Sequence, residues 1–154
     1  MSVVSDLKKP GGLAQVPSKL ELYFELIRAA EPLFELRDKG LEEACREHAA
    51  NLMSYSIVCE ECKAVEAFLR ARAEEVEAHL HKQYLKSEAR ALSATEMKSY
   101  IRSDPQYVEA NQILIDVAHT RGQLEQIVAA FQTMGWSLSN IVKLRIAQLD
   151  HVVL

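Results

Sequence analysis

Glycine, proline and tryptophan are scarce in this chain, at five, four and one among 154 residues. Sheet folds need many tight turns, which glycine and proline supply. Their scarcity, beside abundant Ala, Leu, Glu, Lys and Arg, points to an all-α protein. No run of 18 apolar residues occurs, so no membrane-spanning helix is expected. The opening Met1-Ser2-Val3-Val4-Ser5-Asp6 lacks a basic region followed by an apolar one, and no secretory signal is read there. Three cysteines, an odd number, suit reduced thiols in a cytoplasm better than a disulfide framework. Neither sign of charge dominates: 18 basic against 22 acidic residues give −4, which does not advertise a polyanion partner. A glycine-rich phosphate loop, a Gly-x-Ser-x-Gly elbow and an HExxH pair are all missing. An enzyme is therefore not expected, and no cofactor or metal is called for.

What is present is helical patterning. Residues 1–17 hold Lys8-Lys9-Pro10-Gly11-Gly12 and Pro17, which read as a flexible arm, and residues 18–154 read as one all-helical domain. Ser18 with Glu21 makes a capping box for a first helix, which Pro32 should end near Ala30. Gly40 punctuates the chain again. From Leu41 to about Leu92 there is neither glycine nor proline. Leu41, Cys45, His48, Leu52, Tyr55, Cys59, Cys62, Glu66, Leu69, Ala73, Val76 and Leu80 alternate in steps of four and three, a heptad seam interrupted by Glu66.

Ser93 and Glu96 form a second capping box over a short helix that stops before Pro105. Asp104 caps a further long helix and Pro105 suits its first position. Its seam is Ala110, Leu114, Val117, Arg121, Leu124, Val128 and Phe131. Gly135 is expected to end this helix and Ser137 to cap a short amphipathic tail. A helix along this seam would run for on the order of 60–70 Å, longer than a compact globule of this size buries, so either it breaks near Tyr84–Leu92 or its seam is buried against other helices, including those of other subunits. The expectation is an elongated bundle of helical hairpins that assembles into an oligomer, with a ring as one arrangement. Leu114, Arg121, Leu124, Val128 and Phe131 are expected at the subunit interface. Arg121 and Gly122 read as a close-packing point inside an intersubunit or interhelix contact, where glycine lets a neighbouring backbone approach and the arginine reaches a carboxylate or a chain terminus.

Cys59-Glu60-Glu61-Cys62 invites a zinc or redox reading, with His48, His79 and His81 near in sequence. No second CxxC or HxxxH completes a ligand set, and both cysteines lie on the seam. They read as small buried hydrophobes, and His48 as a packing residue.

Charge distribution says more than net charge. Residues 1–62 carry 7 basic and 11 acidic side chains, whereas residues 63–102 carry 8 basic and 6 acidic. The eight are Lys63, Arg70, Arg72, Lys82, Lys86, Arg90, Lys98 and Arg102, interspersed with Tyr84 and Tyr100. Basic groups with interleaved aromatics track a single-stranded backbone and stack on its bases. The competing reading, which the residues alone favour, is a solvated helix face.

Leu69-Arg70-Ala71-Arg72, Glu96-Met97-Lys98, the helix after Asp104, and Met134-Gly135-Trp136-Ser137-Leu138 running on to Lys143-Leu144-Arg145 occur in that order. In these stretches, over roughly residues 65–147, the chain resembles the UvsY family of phage recombination mediator proteins. The resemblance implies an all-helical subunit of a ring-like homo-oligomer, a heptamer in the family's type member. It implies binding to single-stranded DNA, with Arg70 and Arg72 as contacts. It also implies partners, namely a single-strand-binding protein and a RecA-like recombinase that is loaded in its place, in a host-cell cytoplasm if phage-encoded. The alternative from the residues is a non-enzymatic helical adaptor, structural protein or inhibitor acting through protein–protein contacts.

Overall fold

The computed structural model describes residues 5, 7–9, 12–36, 39–87 and 92–152. Among them are four α-helices, two short 3-10 segments and no strand, so the fold is all-α. Helix α1 is Val16–Ala29, α2 Leu41–Ser87, α3 Ala94–Ser103 and α4 Pro105–Val152. With 47 and 48 residues, α2 and α4 are each about 70 Å long.

The two long helices form an antiparallel hairpin, because their seams find each other. Cys62 Sγ lies 3.8 Å from the Val117 carbonyl oxygen, and the Tyr55 and Phe131 rings are 5.3 Å apart. Val117, Leu124 and Phe131 are fully buried against Cys59, Cys62, Val65 and Leu69. Leu114 and Val128 pack against the same cluster. These positions, expected between subunits, are thus spent inside one chain: a seam on α2 and a seam on α4 satisfy each other once the chain folds back at α3.

Helix α1 lies along this hairpin. The Tyr23 hydroxyl donates to Glu61 at 2.9 Å and the Tyr55 hydroxyl donates to the Leu26 carbonyl at 2.8 Å. Leu7 and Val16 are buried in the same core. The described part of the expected arm is therefore docked, with a 3-10 turn over Gly12–Gln15 leading into α1. Apolar Leu7 and Val16 outweigh the breakers around them. Ser18 caps nothing, since α1 already begins at Val16 with Pro17 in its first turn and Gln15 at the N-cap position. Pro32 does end the helix, opening a 3-10 turn over Glu31–Phe34 that stacks Phe34 on Phe131 at 4.4 Å.

Two further departures concern glycine. Helix α4 runs unbroken through Gly135 and Ser137. Gly135 is retained in its interior by His48: a Cβ there would stand 2.7 Å from His48 Nε2. Gly122, expected at a close approach, has nothing within 4 Å of where its Cβ would be.

Candidate nucleic-acid interface

The hairpin's closed end is built by α3. Ser93 accepts a hydrogen bond from the Glu96 N–H at 3.3 Å, and Glu96 accepts one from the Ser93 N–H at 2.9 Å, completing the expected capping box. Met97 and Ile101 then drop onto Leu80, with Val76, Tyr84, Leu92 and Tyr107 around them. Asp104 joins α3 to α4. Its Oδ1 accepts from the Gln106 N–H at 2.9 Å and its Oδ2 from the Tyr84 hydroxyl at 2.7 Å. The Tyr84 and Tyr100 rings lie 5.7 Å apart. Apolar packing and a satisfied turn make this end a fixed platform.

Its outer surface is polar and basic. Thr95, Lys98, Ser99, Arg102 and Ser103 line a shallow depression along α3. Lys98 and Arg102, one turn apart, are exposed, and no described carboxylate pairs with either. Tyr100, 43% exposed, stands two positions from each and so about 160–200° round α3, on the side of Tyr84 and apart from the basic pair.

The other basic candidates divide. Arg70 Nη2 donates to Glu66 Oε1 at 2.7 Å, Arg72 pairs with Glu75, and Lys63 pairs with Glu60 at 2.9 Å and Glu125 at 3.5 Å. The two arginines singled out by resemblance are exposed but already hold carboxylates. Lys82 and Lys86 are exposed on α2, with no described carboxylate partner. Leu80 and Tyr84 turn toward α3, so residues two positions away sit about 160–200° round the helix. Lys82 and Lys86 therefore belong to the outer face of α2, apart from Lys98 and Arg102. Arg90 lies outside the described residues.

Arg121 reaches carboxylates within the hairpin, as an interhelix contact. Its Nε donates to Glu66 Oε2 at 2.5 Å and its Nη1 to Glu125 Oε2 at 2.6 Å. Glu66 is only 8% exposed. Burial pushes its carboxyl up, but the hydrogen bonds and charges of Arg70 and Arg121 outweigh that and hold it below the usual carboxylate range. Glu66 and Glu125 are the residues that sequence reasoning left unassigned. The signal was there: an acid interrupts one seam and a cation the other, and an antiparallel hairpin brings the two interruptions together.

Cys59 and Cys62 are buried as core residues. Burial, followed by the neighbouring Cys59 and Glu66, pushes the Cys62 thiol up to about 12, so it stays protonated at neutral pH. Among the described residues no group of three or more His, Cys, Asp or Glu is arranged to hold a metal ion, and no helix is long and apolar enough to cross a membrane.

Compared with known proteins, the chain matches no family model, no curated protein and no solved structure.

Proposed function

We propose that this chain binds single-stranded DNA through the α3 platform. In this reading it acts as a homo-oligomeric recombination mediator that helps to load a RecA-like recombinase onto strands covered by a single-strand-binding protein. One observation carries the DNA contact: Lys98 and Arg102 stand exposed on a rigid helix, with no described carboxylate to compete with phosphate. Arginine binds phosphate bidentately and lysine adds a point charge. One such patch is weak. Repeated around an oligomer, it gains through effective concentration. The recombinase and the single-strand-binding protein enter from the resemblance alone.

The test is fluorescence anisotropy with an oligo-dT strand, titrated from about 50 mM salt upward, where screening begins weak. Affinity should fall steeply with salt. Lys98→Ala/Arg102→Ala should lower affinity and flatten the log–log salt slope by about 0.7 for each phosphate that is no longer neutralised. Arg70→Ala/Arg72→Ala should do less, since those arginines are already paired. Absence of binding at about 50 mM salt ends the DNA reading. The adaptor reading would then take its place, favoured by exposed apolar side chains such as Met53, Ile57 and Trp136.

A further inference from the structure

Opposite its buried seam, α2 carries a second apolar stripe. Ala50, Ile57, Ala64, Ala71, Ala78 and Leu85 recur every seven residues, and all six are exposed. Ile57 and Leu85 are 57% and 60% exposed, and Met53 beside them 67%. A seven-residue repeat sustained along one face is the pattern that lets two helices stay in contact over their length. The inner seam is already satisfied by α4, and this outer one has no partner among the described residues.

The geometry points to a second copy of this chain as the occupant, with the two α2 helices antiparallel about a dyad between Ala64 and Ala71. Three features select that arrangement. The first is size. With Ala64 opposite the partner copy's residue 71, Ile57 faces position 78, an alanine, and Leu85 faces position 50, also an alanine. Each large side chain meets a small one and the helices close most tightly at the centre. A parallel pair in register would set Ile57 against itself and leave gaps at the alanines.

The second is charge. Of the acids at the start of the stripe, Glu47 is held by Lys39 and Glu42 by Arg46, which leaves Glu43, seven residues before Ala50; at its end Lys82 and Lys86 have no described carboxylate partner. Antiparallel packing brings the acidic start of each copy toward the basic end of the other, within reach of long side chains. Parallel packing would stack like on like. Near the middle, Glu60 and Glu75 are already neutralised by Lys63 and Arg72. The third is area. The stripe is about 50 Å long and a helix contact about 12 Å wide, on the order of 600 Å² in projection, comparable with the about 800 Å² per partner of a standard interface. The contact is isologous, as two-fold dimers require. It uses the face of α2 turned away from α3, so the contact of one subunit's Lys98 and Arg102 with DNA is tested separately, and only the gain from repeating that patch depends on assembly.

Light scattering on the full chain at tens of micromolar should give twice the 17.4 kDa chain mass. Ile57→Glu/Ala71→Glu, at exposed positions that leave the core untouched, should return the mass to one chain with unchanged helical circular dichroism. For register, Ala64→Cys/Ala71→Cys in a Cys45→Ala background should oxidise to a covalent dimer. Seven residues apart on one helix, about 10 Å, the two thiols are too far apart to join within a chain. Either single cysteine variant should remain uncrosslinked. A monomeric wild type, an assembly that survives the two glutamates, or a single-cysteine variant that crosslinks as well as the double overturns the proposal.

Discussion

At Glu66 two arginines converge on one carboxylate from different helices, Arg70 from its own and Arg121 from across the hairpin. The carboxyl is held below its ordinary value, so the charged form contributes stability that is fully present above the unfolded-state value near 4.5. That contribution drains away as pH falls through the lower folded value. Glu66→Gln should therefore cost about 1–2 kcal/mol at pH 7, as charge-assisted hydrogen bonds become neutral ones. It should also flatten the loss of stability that wild type shows as pH is lowered from about 5 toward 3. Urea denaturation at a series of pH values checks both, and parallel pH profiles for the two proteins would remove the ion network from the account. Both partners were legible as exceptions to an apolar pattern. Their pairing was not, because seam spacing gives a face but not the register against another helix.

The same scale holds the contrast between two glycines. Alanine at a helix-interior glycine gains about 1 kcal/mol of helix propensity. Gly122→Ala should realise that gain, since open space receives the methyl. Gly135→Ala should instead destabilise by about 1–3 kcal/mol, because its methyl meets a His48 ring that is itself set against Phe131. In a His48→Ala background the sign should reverse. A double-mutant cycle followed by thermal melting reads this coupling, and additive effects would mean that His48 swings aside freely.

At the scale of elements, the sequence was most readable where a cap has local chemistry. Ser93 with Glu96, and Asp104 with Pro105, act within four residues, and both lie where their spacing put them. It was least readable where packing overrides local preference. Gly135 has the composition of a terminator, yet α4 continues because Leu138 beyond it is buried. The chain before Ser18 has the composition of a mobile arm, yet Leu7 and Val16 anchor it. The basic platform was half legible. Eight charges were visible, but which were already neutralised depended on carboxylates that helical and hairpin geometry brought near.

For the molecule as a whole, the spacing of contacts along the hairpin has a kinetic consequence. Tyr84 and Asp104 meet across 20 residues, Cys62 and Val117 across 55, and His48 and Gly135 across 87. Loop-closure entropy rises with the length of chain enclosed, so contacts near α3 are the least costly to form first. Folding should then start at the closed end and zip toward the open one, each pair shortening the loop for the next. Leu80→Ala or Met97→Ala should slow refolding, with φ values near 0.5 or above, while Phe131→Ala should chiefly speed unfolding. Stopped-flow chevrons distinguish the two classes, and high φ at Phe131 with low φ at Leu80 would reverse the order. The same gradient makes the end carrying the basic platform the last to open under native conditions. Slow amide exchange over Met97–Ile101 and faster exchange around His48 and Gly135 would be its mark.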